Sequence, residues 1–232
     1  MYKFFTLAIA TALLITSCKT IEVAERTINY KVEVSTEAEM LKPTISMMSG
    51  GYMTSEIKGE KAKVVVDMKM SQNTTITDSK EKKGLVLVSI PMQGMKYAAQ
   101  MTKKDFLPDT TKTDTAIVTY YNDKTKEIAG HTCTKTLVII KGKKDMKTKE
   151  EFTMYVAKDL KKIGDGRFSK HVNGTPLEIE MIQKTPYGDL IMTFIASSVT
   201  DKVSNDTDFS LKIPEGYEIK TIEEINTMSG GN

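Results

Sequence analysis

The sequence is poor in leucine, arginine, histidine and cysteine. Leucine occurs 12 times against 30 threonines in 232 residues. Helical proteins favour leucine, whereas strands favour β-branched side chains. Composition therefore argues against an all-α fold. Arg26 and Arg167 are the two arginines, and 33 basic residues face 30 acidic ones, for a net charge of +3. That balance lacks the basic excess of a nucleic-acid binder. No Gly-x-Ser-x-Gly elbow, glycine-rich phosphate loop or His-Glu-x-x-His pair occurs. The corresponding hydrolase, nucleotide and zinc-protease readings fall away with them. What remains is a chain that is 40% hydrophobic and 27% charged, enough to bury a core of its own without disulfides. Its length fits one domain or two small ones.

The first eighteen residues state an address. Lys3 is a positive start, and Phe4 to Thr16 is an uncharged, mostly apolar run. A membrane-spanning helix needs about 20 apolar residues, so this shorter run reads as the h-region of a secretory signal. Leu14-Ile15-Thr16-Ser17-Cys18 follows and resembles a bacterial lipobox. The resemblance implies a signal peptide over 1–17, cleavage before Cys18, and acylation of that cysteine. Several acyl chains hold a protein stably on a bilayer. By resemblance to known lipoprotein sorting, Lys19 is not the Asp that retains lipoproteins at the inner membrane, and no acidic cluster of the surface-display kind follows Cys18, so the expected location is the outer membrane, facing the periplasm. With Cys18 lipidated, Cys133 is the one cysteine left, and no intramolecular disulfide can form.

Residues 18–26 read as a tether and 27–218 as a single β-rich domain, with 219–232 a short helix and tail. Ile28, Tyr30, Val32 and Val34 alternate with Thr27, Asn29, Lys31 and Glu33, which predicts a half-buried strand. Thr36 with Glu39 makes a capping-box pattern that predicts a helix over 36–48, kinked or ended by Pro43. Further strands are expected over 61–70, 84–90, 95–101, 115–121, 131–141, 150–157, 176–183, 189–199 and 209–213, with one or two turns of helix over 157–163, near Asp159. Residues 84–90 are apolar on both faces, which predicts cover on both sides. No strand–helix alternation points to a parallel sheet. The expected fold is mainly β (α+β): about ten or eleven antiparallel strands with two or three short helices.

Three segments carry a family resemblance. Ile128-Ala129-Gly130-His131-Thr132-Cys133-Thr134-Lys135 resembles an I-A-G-aromatic-x-C-x-K strand start, with His131 where the aromatic usually stands. Gly174-Thr175-Pro176-Leu177-Glu178 resembles a G-x-P-L-E turn and strand. Phe209 with Ile213-Pro214-Glu215-Gly216-Tyr217 resembles a closing F-x-I-P-x-G-Y. The family is an uncharacterised one of exported bacterial proteins, domain of unknown function forty-four-twelve. It is similar to the lipoprotein carriers LolA and LolB. The resemblance implies a strongly curved antiparallel sheet or incomplete barrel, closed by helices over an apolar concave face, with no catalytic residues.

His131 and Cys133 lie two apart on an expected strand, so their side chains point the same way. That admits a Cys–His nucleophile or a metal corner, against a cysteine packed as a small hydrophobe. Glu178 and Glu180 share a face and read most simply as its solvated side. The lysines at 141, 143, 144, 147 and 149 surround one hairpin tip and could rest on anionic headgroups. Asp109-Thr110-Thr111 and Asp114-Thr115-Ala116 resemble an O-glycosylation pattern. Methionine is abundant, at 15 residues, and adapts to irregular ligands. Val66, Met68, Met95, Tyr97, Phe152, Met154, Ile179, Met181, Met192 and Phe194 are the expected lining of a concave site. The expected function is a lipid-anchored, non-enzymatic lipoprotein, expected as a monomer, that binds acyl chains or lipoprotein lipid. The alternative is a structural or protein-interaction lipoprotein with a filled core. No cofactor, metal or nucleic-acid partner is expected.

Overall fold

The computed structural model describes residues 24–106, 115–141, 149–160, 171–205 and 207–228. Cys18, the Asp-Thr sites at 109–114, the lysines at 143, 144 and 147, and the tail from 229 lie outside the described residues.

The described chain forms one sheet of twelve strands. In chain order these are β1 (Glu25–Ser35), β2 (Gly51–Lys58), β3 (Lys61–Asp67), β4 (Gln72–Asp78), β5 (Lys83–Ile90) and β6 (Met95–Met101). There follow β7 (Thr115–Ile128), β8 (His131–Lys141), β9 (Lys149–Ala157), β10 (Thr175–Thr185), β11 (Gly188–Thr200) and β12 (Glu218–Ile219). Their spatial order is β12-β6-β5-β4-β3-β2-β1-β11-β10-β9-β8-β7. Every pair is antiparallel except β12 with β6. Two meanders, β1–β6 and β7–β11, thus join side by side where β1 pairs with β11. Short local connections of this kind favour antiparallel neighbours. The sheet is unclosed, with β12 and β7 as its edges. The helices are α1 (Lys42–Met48) and α2 (Ile222–Met228), with short 3-10 turns at Glu39–Leu41, Pro91–Gln93 and Lys103–Phe106.

Register puts alternate residues of all the strands on one continuous face. Tyr30 pairs with Met53 and Ala196, Val32 with Phe194, and Phe194 with Ile179. Ile179 pairs with Met154, and Met53 with Val66. The main core fills this face from β8 to β2. It contains Ile28, Tyr30, Val32, Val34, Met53, Val138, Phe152, Met154, Ile179 and Phe194. Val118 of β7 packs against it. A smaller cluster lies at the other side of the same face, where Ile225 of α2 meets Val88 and Ala99.

The opposite face also carries apolar residues under β4–β6. Ile76, Leu85 and Ala98 are buried there, although no second layer of strands covers them. Chain 207–217 lies across this face. Thr207 donates to Glu56 of β2, and Lys96 of β6 sits over the Tyr217 ring at 5.9 Å. Between those two points Phe209, Leu211 and Ile213 are half-buried and alternate with exposed residues. This extended segment explains why β5 is covered on both sides, as its apolar run predicts.

Several expectations need correction. Segment 209–213 is extended but pairs with no strand. The β-strand at 61–70 stops at Asp67, because Lys69 takes a left-handed turn (φ 63°). β2, β4 and the two-residue β12 are not among the expected strands. The helix over 36–48 shortens to α1, with Pro43 in its first turn, where its missing N–H costs nothing. Thr36 does not cap it with Glu39. Its hydroxyl accepts from Ala38 N (3.1 Å) and donates to Asp189 O (2.6 Å). A true capping box forms instead at α2, where Thr221 and Glu224 exchange bonds of 2.7 and 3.1 Å. Asp159 lies in a bend directly after β9 rather than in a helical turn.

Candidate functional site

The face that carries the core divides into a filled part and a half-buried part. Met154 is 1% exposed, and Val138, Val156 and Thr136 beside it are fully buried. Space there is taken up by side chains, as in any close-packed interior. Between this core and α2 lies a trough over β3–β5. Val64 and Val66 form one apolar wall and pack against the main core. Val86 and Ile90 form the other and pack against the α2 cluster. Its floor is β4, where Asn73 pairs with Val66 and Val88, and Thr75 with Val64 and Val86. These six side chains are half-buried. α1 packs at β1 and α2 at β5–β6, so β3 and β4 between them stay partly open to solvent.

The ten expected lining residues fall on one face of the sheet but not in one space. Phe152, Met154, Ile179 and Phe194 belong to the packed core. All four are buried from solvent. Met68 is also a core member, and Met181 and Met192 pack against it as a pair across β10 and β11. Val66, Tyr97 and Met95 remain near the half-buried part: Val66 in a wall, Tyr97 under α2, and Met95 exposed at the end of β6. The sequence reading missed Asn73 and Thr75. β4 has Ile76 as its one aliphatic residue, so its place between two apolar walls leaves no trace in its own pattern.

Two open clefts lie elsewhere. One is bounded by Glu37, Ala38, Gly188, Asp189 and Ile191, where the β1–β2 and β10–β11 connections meet. The other lies between the β2–β3 hairpin and chain 204–210, lined by Lys58, Lys61, Asp78 and Phe209 among others. None of the ten expected residues borders either.

The candidate reactive groups are engaged in structure. Cys133 is fully buried and its Sγ lies 3.4 Å from the His131 backbone oxygen, to which it donates. Burial, seconded by Asp159 and Glu127, pushes its thiol up to about 11. The His131 ring turns to Asp159 instead (Nδ1–Oδ2 2.7 Å). That bond, more than any other influence, holds the Asp159 carboxyl below the usual range. A thiol that stays protonated, with no imidazole on it, is not an activated nucleophile. Among the described residues no three of His, Cys, Asp and Glu converge as a metal site would need. Glu178 is paired with Lys126 (2.6 Å), whose ammonium also lies 4.0 Å from the Tyr155 ring centre. The expected solvated carboxylate is thus half of an ion pair.

One buried charge closes the core where β1 begins. Arg26 is 5% exposed. Its Nη2 lies 2.7 Å from Asp201 Oδ1, and Nη1 donates to Thr175 Oγ1 at 3.3 Å. Nearby, the Tyr30 hydroxyl donates to the Pro176 carbonyl (3.0 Å), and burial raises its phenol well above the ordinary range.

Comparison with protein-family models finds no match, and neither does comparison with curated proteins. Among solved structures, the chain is similar to a LolA superfamily protein from Nitrosomonas europaea. That likeness has 7% identity and a TM-score of 0.34, over 81% of this chain and 90% of the other. It is also similar to a putative outer membrane lipoprotein-sorting protein domain from Vibrio parahaemolyticus. Here the identity is 6% and the TM-score 0.21, over 90% of this chain and 92% of that domain.

Proposed function

We propose that this chain is a lipid-anchored, non-enzymatic envelope lipoprotein of the outer membrane's periplasmic face, which holds an apolar ligand in the trough over β3–β5. The observation that carries the reading is the pairing of two half-buried apolar walls, Val64–Val66 and Val86–Ile90, across the polar strand β4, with α1 and α2 packed only at either side. Apolar sheet faces are ordinarily buried against another layer. An acyl chain would remove the walls from water at about 25 cal/mol for each Å² of apolar surface covered. Asn73 and Thr75 on the floor suit the ester or amide that begins such a chain, since each offers a donor. The ligand class is therefore an acyl lipid or the lipid of a lipoprotein, bound with its polar link on β4.

The filled half of the sheet favours a second reading. Met154 and its neighbours form an ordinary core, as a structural or protein-interaction lipoprotein would have. Native mass spectrometry of the protein, taken from membranes without denaturation, separates the two. A lipid retained at one copy per chain is the expected result, and a bare polypeptide from every preparation would leave the second reading. Anchoring is tested apart from it: wild type should incorporate radiolabelled palmitate and Cys18→Ser should not. Equal labelling of both would remove the anchor.

A further inference from the structure

The two ends of the sheet differ sharply in their exposed side chains. β1 runs from Glu25 at one rim to Ser35 at the other. The far rim carries the β1–β2, β5–β6 and β10–β11 connections, because antiparallel register brings Val32 to Gly51, Ile90 to Met95 and Thr185 to Gly188. Among the described residues, eight large apolar side chains stand exposed. Met40 (74%), Met92 (76%) and Tyr187 (61%) sit on those three connections. Met95 opens β6 beside Met92, and Ile182 lies three residues from the end of β10. Tyr52 and Ile117 are the second and third residues of strands that start at this rim. Seven of the eight therefore cluster at one end, and only Ile219 lies apart. The near-rim turns at Gly59–Glu60, Ser79–Lys82 and Ala129–Gly130 carry none.

Single exposed apolar residues need no explanation, but segregation to one rim does. Turn tips ordinarily carry Gly, Asn, Asp, Ser or Pro for their backbone geometry. Here Pro91 and Gly94 flank Met92, and Pro186 and Gly188 flank Tyr187, so the turn residues frame an apolar tip. The tips are also spread. The β1–β2 and β5–β6 connections stand four strands apart, about 19 Å at ordinary strand spacing. A protein partner needs a contiguous, well-packed apolar centre, whereas a lipid interface accepts side chains one at a time. Lys42, Lys96 and Lys184 stand within two residues of Met40, Met95 and Ile182, placed to meet headgroups as the apolar tips enter. Lys42 and Lys184 are balanced by Glu39 and Asp189, so apolar insertion supplies the attraction rather than net charge.

We propose that this far rim docks into the headgroup region of a lipid bilayer, inserting Met40, Met92 and Tyr187. The inference does not depend on a ligand in the trough. Combined with the anchor expected at Cys18, it fixes an orientation. Six residue steps from Cys18 to Ala24 reach at most about 21 Å. The ten steps of β1 span about 34 Å. Both ends can meet one leaflet only if the strands incline by about 50° or more from the membrane normal, from the ratio of those two lengths. The sheet then lies over the leaflet.

The chain has no tryptophan, so an introduced one reports without background. The full chain carrying Met92→Trp, Tyr187→Trp or, at the near rim, Glu81→Trp would be purified in detergent. Each would be returned to vesicles of phosphatidylethanolamine and phosphatidylglycerol with brominated acyl chains. Emission from Met92→Trp and Tyr187→Trp should shift to the blue and be quenched at least twofold relative to unbrominated vesicles. Emission from Glu81→Trp should change little. Equal quenching at both rims, or none at either, overturns the proposal. A blue shift that grows with protein concentration in the absence of lipid also overturns it, in favour of a second copy of this chain. A lipid bound in the trough together with an unquenched rim would keep the proposed function and remove this inference.

Discussion

Two tryptophan substitutions on the same sheet face should behave oppositely. Met154→Trp places a larger ring where the native side chain is 1% exposed, between Thr136 on β8 and Ile179 on β10. Overpacking a filled core costs about 1–3 kcal/mol. For a domain of this size, each kcal/mol lowers the unfolding midpoint by about 2–4 °C, so a fall of roughly 2–12 °C is expected. Thr75→Trp puts the same ring on the trough floor, where Thr75 is half-buried and faces Val64 and Val86 across the ladder. Tryptophan suits a half-buried strand position. Its effect on stability should stay within about 0.5 kcal/mol, as for substitutions away from packed features. It should displace a fluorescent fatty-acyl probe that Met154→Trp still binds. Thermal unfolding followed by circular dichroism, run beside probe titration, reads both properties. If Thr75→Trp melts as early as Met154→Trp, the trough is a packed core. If wild type takes up no probe at all, the carrier reading fails.

The buried groups give further tests. Cys133 in native protein should react with a thiol reagent far more slowly than in unfolded protein, and rapid stoichiometric labelling of the native form would contradict its burial. Its folded value is raised from 9.0 to about 11, so the folded state keeps the proton that the unfolded chain releases. Stability should therefore fall as pH rises from about 9 to about 11, by roughly 2–3 kcal/mol relative to Cys133→Ala in urea titrations. Asp201→Ala should cost more than Thr27→Ala at the same end of β1, by roughly 2 kcal/mol, because it strips a buried guanidinium of its carboxylate. Comparable urea midpoints would show that Arg26 is solvated. Tyr30→Phe leaves the buried Pro176 carbonyl without its donor and should cost about 1–2 kcal/mol, whereas an unchanged midpoint would refute the bond.

What the sequence discloses follows from the range of the forces that act on each element. β1 is legible because alternate burial along one strand prints a period of two in that strand alone. β5 is legible for a similar reason: cover on both faces leaves an unbroken apolar run. Segment 209–213 carries the same alternation as a strand, since an extended chain lying on a sheet also buries every second side chain. Only the presence or absence of a ladder partner tells them apart, and that lies far along the chain. The capping pattern at Thr36 and Glu39 fails because Thr36 spends its hydroxyl on Asp189, 153 residues away. The same pattern at Thr221 and Glu224 succeeds because nothing competes for it locally. The expected lining residues share a face for the reason β1 does. Which of them meet solvent depends on how far the sheet curls, and no single strand records that.

β4 decides whether the open trough is a defect of packing or a site. Its concave side carries Asn73, Thr75 and Thr77, between valine-bearing β3 and valine-bearing β5. Three β-branched apolar residues there would join the two clusters into one continuous stripe across an uncovered face. Such a stripe is an aggregation hazard, and the chain would need a longer helix than the seven residues of α2 to bury it. Threonine keeps the β-branched shape that a strand prefers while leaving the strip hydrated when empty. The arrangement thus keeps the sheet soluble without a lid. It also leaves Val64, Val66, Val86 and Ile90 only half-buried, at an energetic cost that a fold built solely for stability would have removed. On the proposed reading, a ligand with an apolar chain and a hydrogen-bonding link would recover that cost on binding. Thr75→Val puts the two explanations in direct opposition. If the strip serves only solubility, the change should promote aggregation and leave acyl-probe affinity unaltered. If it receives the polar link, probe affinity should fall by roughly five- to tenfold, the loss of one hydrogen bond of about 1 kcal/mol, even where the protein stays monomeric.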